Sequence, residues 1–146
     1  MMTKALTAFF FFVAMSVCFP VYGEEPILKP KTEGGITFIS GGVGMRETDY
    51  LRKVEGDYNL RLLFAAKETG EFFADVKVRI ADKKGKTVLD AVSNGPRFLA
   101  KLPAGVYQVT AEMFGEPLTR KVKISGKRAV SENFYWKATY KHKPVE

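Results

Sequence analysis

The sequence predicts an all-β fold: a seven-stranded β-sandwich preceded by one short helix. Three observations carry that prediction. From Asp57 onward apolar residues recur with a period of two, the spacing that puts one face of a strand against a core. Glycine, proline and asparagine punctuate the same region about every ten residues, as turns do between short strands. Aromatic residues make up 13% of the chain, and aromatics both favour strands and bury large areas in small cores.

Residues 1–23 read as an export signal. Lys4 supplies a positive start, residues 5–19 are almost wholly apolar around Phe9 to Phe12, and Pro20 breaks the run. Val21-Tyr22-Gly23 then offers a cleavage site before Glu24. The apolar run falls short of the ~20 residues a spanning helix needs, so no stable membrane span is expected after cleavage. Cys18 raises a lipoprotein reading, but Val17 stands where a small residue is wanted. The expected location is the periplasm. Cleavage removes the only cysteine and leaves 22 basic and 16 acidic residues, a charge of +6. In an exported protein that balance points to anionic envelope surfaces or acidic proteins rather than nucleic acid. It also serves solubility alone.

Residues 24–35 read as a linker, with Pro26 and Pro30 inside it and Gly34-Gly35 at its end. An N-terminal extension, 36–56, follows. Ile36 to Ile39 is expected as a short strand and Ser40-Gly41-Gly42-Val43-Gly44 as a flexible turn. That turn lacks the spacing and Lys-Ser/Thr ending of a phosphate loop. A short helix is expected over Thr48 to Glu55, capped by Thr48 and closed by Gly56, with Tyr50, Leu51 and Val54 on one face.

The sandwich domain is expected over 57–137. Tyr58, Leu60, Leu62, Phe64 and Ala66 form the inward set of its first strand, and Val76, Val78 and Ile80 that of the second. Thr87 to Leu89 is the third. Phe98, Ala100 and Leu102 mark the fourth, after the turn at Asn94-Gly95-Pro96. Tyr107, Val109, Ala111 and Met113 mark the fifth, after the turn at Pro103-Ala104-Gly105. Val122 and Ile124 mark the sixth, and Val130, Phe134 and Trp136 the seventh. Residues 138–146 form a polar tail.

Three segments between Tyr58 and Trp136 carry a family resemblance. They are Tyr58 to Ala65 running through Gly70 to Val76, Asp82 to Asp90, and Asn94-Gly95-Pro96 through Leu102-Pro103-Ala104-Gly105-Val106-Tyr107 to Ala111. The opening Ile39 to Gly44 adds to it. With them the chain resembles bacterial exported proteins of the carboxypeptidase regulatory-like group, within the wider prealbumin-like and collagen-adhesin B-type set. The resemblance implies a Greek-key, prealbumin-like sandwich. Gly95, Pro96, Pro103, Gly105 and Tyr107 are structural turn residues in that reading. It implies no peptidase activity, since a shared sandwich does not transfer function.

Enzyme chemistry finds little support in the residues. His142 is the only histidine and sits in the tail, so neither a zinc site nor a Ser-His-Asp triad can be assembled in the domain. No calcium loop appears, and no cofactor is expected. Asp75, Asp82, Asp90 and Glu112 read as solvated acids on turns or outward positions. The adhesin resemblance suggests an internal Lys–Asn bond, with Lys67, Asn133 and Glu112 as the trio. Strand parity opposes it, because Glu112 faces away from Tyr107, Val109 and Ala111. Phe134 and Trp136 share the core face, which leaves Tyr135 as the candidate surface aromatic. Arg61, Lys77, Arg79, Lys121 and Lys123 share outward parity and form the candidate face for an anionic partner. A guarded sheet edge presents the same kind of row.

The expected function is therefore a non-enzymatic periplasmic binding module for a protein partner or an anionic envelope component. An accessory domain that modulates an envelope enzyme or assembly is the alternative. A hydrolase with an unrecognised site is a weaker one.

Overall fold

The period-two segments are strands, and they assemble into two sheets. The computed structural model describes Cys18, Phe19, Gly23 and residues 25–137. The rest of the expected signal and the tail 138–146 with His142 lie outside the described residues. The elements are β1 (Lys31–Glu33), β2 (Ile36–Gly41), α1 (Gly44–Val54), β3 (Leu60–Ala66), β4 (Val76–Asp82), β5 (Thr87–Ser93), β6 (Arg97–Lys101), β7 (Gly105–Met113), β8 (Glu116–Ile124) and β9 (Val130–Trp136). One sheet has the order β1-β2-β6-β3-β9, the other β5-β4-β7-β8. All neighbours are antiparallel except β3 and β9, which run parallel.

The expected strand count of seven is corrected to nine among the described residues. The seven expected between Tyr58 and Trp136 are β3 to β9. Of the other two, β2 is the short strand expected over Ile36 to Ile39, running on to Gly41, and β1 comes from the segment read as linker. β2 lies inside the five-stranded sheet, and its buried residues fall on both faces. The first sheet therefore needs the residues before Asp57 to be complete.

Between the sheets lies the main core. Leu60, Leu62 and Phe64 of β3 meet Val76, Val78 and Ile80 of β4, with Val109, Ala111, Phe134 and Trp136. Phe64, Phe134 and Trp136 pack with ring centroids 6.0–6.2 Å apart. The expected inward parity of Phe134 and Trp136 is what is seen, and Tyr135 is exposed. The indole N–H of Trp136 donates to the carbonyl of Glu116 at 2.9 Å, so the ring's one polar atom is satisfied and β9 is tied to β8.

A smaller cluster lies on the outer face of the five-stranded sheet. Ile39, Leu99 and Tyr58 pack there with Leu51 of α1, flanked by Leu28, Tyr50 and Val54. Tyr58 belongs to this cluster and not to the core between the sheets, because it precedes β3 and lies under the helix. Helix α1 begins four residues before the expected start. Its cap is not Thr48: Oε2 of Glu47 accepts the backbone N–H groups of Gly42 at 3.0 Å and Val43 at 2.9 Å. A carboxylate in the first turn thus reaches back to the N-cap N–H of Val43, as the acid of a capping box does, from one position further into the helix. Thr48 lies inside the helix and donates to the Gly44 carbonyl at 2.8 Å. The glycine run read as a flexible turn is thus tied by hydrogen bonds.

The turn residues have separate reasons. Gly95 faces the backbone of Gly41 so closely that no Cβ fits there, and Asn94 N–H donates to Ser40 Oγ at 3.0 Å beside it. Tyr107 is buried and its hydroxyl donates to the Pro103 carbonyl at 2.7 Å, pinning the turn to the strand it starts. Gly105 has φ 159°, nearly extended, and begins β7 directly after the turn. Asn59 spans the sheet end, with its side-chain amide donating to the Leu102 carbonyl and accepting the Leu102 N–H, both at 2.8 Å.

Candidate anion-binding cleft

Strand pairing sets two rows across the outer face of the five-stranded sheet. Ile39, Leu99, Arg61 and Ser131 make one row, and Gly41, Arg97, Leu63 and Asn133 the next. Helix α1 covers the Ile39–Leu99 half. The other half stays open, and a cleft of about 490 Å³ lies between the helix edge and β9. Thr48, Arg52 and Glu55 line its helix side at spacings of four and three, one face of α1 and its continuation. Ser131 and Asn133 line the opposite side. Phe72, 61% exposed, stands at one end beside Ala65.

Two arginines converge at the back of the cleft. Arg97 Nη2 donates to Glu55 Oε2 at 3.2 Å, and Arg61 Nη1 lies 3.7 Å from Glu55 Oε1. Arg61 Nη2 also donates to the Glu55 backbone carbonyl at 3.1 Å. One carboxylate thus bridges two guanidiniums. The side chains are only 31%, 26% and 28% exposed for Arg61, Arg97 and Glu55, so water screens this group less than an open surface pair. Arg61 Nε is buried and, among the described residues, has no hydrogen-bond partner. Among the described residues Arg52, Arg61 and Arg97 line the cleft with Glu55, and Arg52 also pairs with Asp49 at 3.5 Å, so one positive charge stays in surplus.

Local structure explains how Arg97 reaches this place. Gly42 has φ 95°, and a Cβ there would come within 3.2 Å of Arg97 Cγ. Only glycine combines that backbone with room for the arginine stem. Arg97 then emerges from the start of β6, one strand from Arg61 on β3. In sequence Arg97 precedes the inward Phe98, and that parity marks it only as an outward strand position. The missed signal is its outward apolar neighbours: Ile39 and Leu99 mark the sheet's outer face as covered, which brings a helix end towards the arginines.

The five basic residues expected to share a face do not form one patch. Arg61 lies in the cleft, on the first sheet. Lys77, Arg79, Lys121 and Lys123 lie on the outer face of the second sheet, with β7 between β4 and β8. Lys77 sits 3.8 Å from Glu112, and Arg79 3.6 Å from Asp90. Both are exposed pairs across neighbouring strands. Tyr135 is 47% exposed and lies on the cleft's side of the sheet, two residues beyond Asn133. Asn133 and Glu112 occupy opposite outer faces, so the Lys67–Asn133–Glu112 trio is not assembled. Asp82 Oδ1 accepts the N–H groups of Lys84 and Lys86 at 2.9 and 3.0 Å, a turn role.

Among the described residues no three His, Cys, Asp or Glu side chains gather where they could hold a metal ion, and no helix is long and apolar enough to cross a membrane. No known family profile matches the chain, and no curated protein matches it.

Proposed function

We propose that this is an exported, non-enzymatic β-sandwich binding module. It acts in the periplasm and engages an anionic group of an envelope component or protein partner through the arginine cleft. One observation carries the reading: Arg61 and Arg97 converge, part-buried, on the back of an open cleft in which Glu55 is the only lining acid among the described residues. Buried-side arginines bind anions more strongly than exposed lysines, because their planar forks are held in place and less screened. The second sheet's basic residues are the weaker candidates, since Lys77 and Arg79 already face acids.

The finer fold reading is a Greek-key, prealbumin-like sandwich. It is supported by chain order: β7 returns to pair with β4 after β5, and after β6 has crossed to the other sheet. The export reading rests on residues 1–23.

The test is retention of the mature protein on phosphatidylglycerol vesicles and on alginate across a salt series. Wild type should bind at low salt and release as salt rises. Arg61→Gln with Arg97→Gln should lose most of the binding, and Lys77→Glu with Arg79→Glu should lose little. If the second pair abolishes binding and the first leaves it intact, the cleft is not the site. If wild type binds neither surface at low salt, the envelope-component reading fails.

A further inference from the structure

We infer that the cleft receives a carboxylate carried on an apolar body, and that Glu55 is the internal carboxylate this ligand displaces. The inference rests on reading the cleft as the binding site, and it names the ligand.

The arginine pair already shows which anion it suits. Glu55 offers one oxygen to each guanidinium, the arrangement of a bridging carboxylate. The fit is loose. The Arg97 contact, at 3.2 Å, is at the long end of hydrogen-bonding range, and the Arg61 contact, at 3.7 Å, is beyond it. A helix-borne side chain is tethered and cannot optimise both contacts, whereas a free carboxylate can. Arg61 does not depend on the Glu55 side chain for its position, because Nη2 is held by the Glu55 backbone carbonyl. The guanidinium therefore stays placed when the carboxylate swings out. The unpartnered Nε of Arg61 shows that the present arrangement leaves donor capacity unused.

The rest of the cleft sets the body of the ligand. Leu63 lies on the floor beside Arg97, and Phe72 stands largely open at the end. An anion without an apolar part would leave both in water. A ligand with one covers them, and the gain scales with the area removed from water. Ser131 and Asn133 opposite can bond to polar atoms of such a body. At about 490 Å³ the cleft falls within the range of small-molecule sites.

The experiment is calorimetric titration of the mature protein with 3-phenylpropionate, its neutral amide, 2-phenylethyl phosphate and inorganic phosphate. The carboxylate should bind best, with the amide at least about tenfold weaker. Glu55→Gln removes the competitor and should tighten 3-phenylpropionate about five-fold, and Arg97→Gln should abolish it. A second readout needs no variant: in the wild type, the Glu55 side-chain carboxyl carbon should shift in NMR as the ligand is added. Unchanged or weaker binding by Glu55→Gln, or a stationary Glu55 signal, overturns the displacement. Tighter binding of the phosphate ester overturns the carboxylate assignment but leaves the cleft as a binding site. No binding of any probe, with vesicle or alginate retention still dependent on Arg61 and Arg97, does the same. If that retention is also indifferent to both arginines, the site itself fails.

Discussion

Truncating Leu51 to alanine should loosen the helix on the sheet and weaken the cleft while sparing the sandwich. Leu51 is fully buried, and it is the one helix residue that is. Its neighbours Ile39, Leu99 and Tyr58 form a cluster separate from the main core. Leu→Ala changes in a core cost about 2–5 kcal/mol, rising with the cavity left behind. Here the low end applies, about 2–3 kcal/mol, because a helix on the outer face can settle onto the gap in a way that a strand between sheets cannot. The loss should also be local. Helix and sheet can separate without opening the main core, so amides of α1 should exchange faster by the full amount while those of β4 and β7 change less. A local loss of 2–3 kcal/mol corresponds to an exchange rate about 30–150-fold faster. Hydrogen exchange of the variant against wild type measures this directly. Uniform acceleration across α1, β4 and β7 would show that helix and sandwich are one cooperative unit. No acceleration in α1 would show that Leu51 does not hold the helix in place, and either outcome refutes the two-cluster account.

Three further outcomes follow from particular contacts. Tyr107→Phe removes the hydroxyl that bonds the Pro103 carbonyl and should cost about 1 kcal/mol in denaturant unfolding, with no loss of cleft binding. Burial, with Asp82 adding to it, pushes the Tyr107 phenol above its ordinary 10.0; Tyr58 is raised too, by burial first and then by Tyr50 and Asp57. The folded state then holds these protons more tightly than the unfolded chain, so stability is full below pH 10 and falls as pH rises through the folded values, a slope that Tyr107→Phe should reduce. Gly95→Ala forces a methyl onto the Gly41 backbone and should destabilise by at least about 2 kcal/mol, visible as a lowered thermal midpoint; a neutral result would mean the loop backs away freely.

Much of the sandwich was legible because its strands are covered on one face and wet on the other. Val76 to Ile80 and Tyr107 to Ala111 alternate for that reason, and both are strands with the expected residues inward. β2 was harder. Core lies on one side of it and helix on the other, so Ile36, Phe38, Ile39 and Ser40 are all buried and no alternation survives. β1 is Lys-Thr-Glu, fully exposed, and carries no apolar signal at all. The helix start was obscured because Glu47, not a Ser, Thr, Asp or Asn, supplies the cap.

The site was legible in one residue and hidden in the rest. Arg61 drew notice as an outward basic position, but outward parity does not say which sheet a residue faces away from. Lys77 and Arg79 share that parity and lie on the other side of the molecule. Arg97 and Glu55 are 42 positions apart, and only the fold of the helix over the sheet brings them within 3.2 Å. Nothing local in the sequence encodes that meeting. The partial clue is compositional: apolar Ile39 and Leu99 at outward positions require a cover, and the amphipathic segment around Leu51 is the element available to provide it.

The central claim, that the helix-walled cleft is where an anion binds, is tested most directly by the arginine side-chain Nε–Hε signals in NMR. Titrating the protein with 3-phenylpropionate, or with alginate fragments, should move the signals of Arg61 and Arg97 first and together. Movement confined to Arg79 and to the backbone amides around Lys121 and Lys123, with Arg61 and Arg97 stationary, would place the anion on the other sheet and contradict the account.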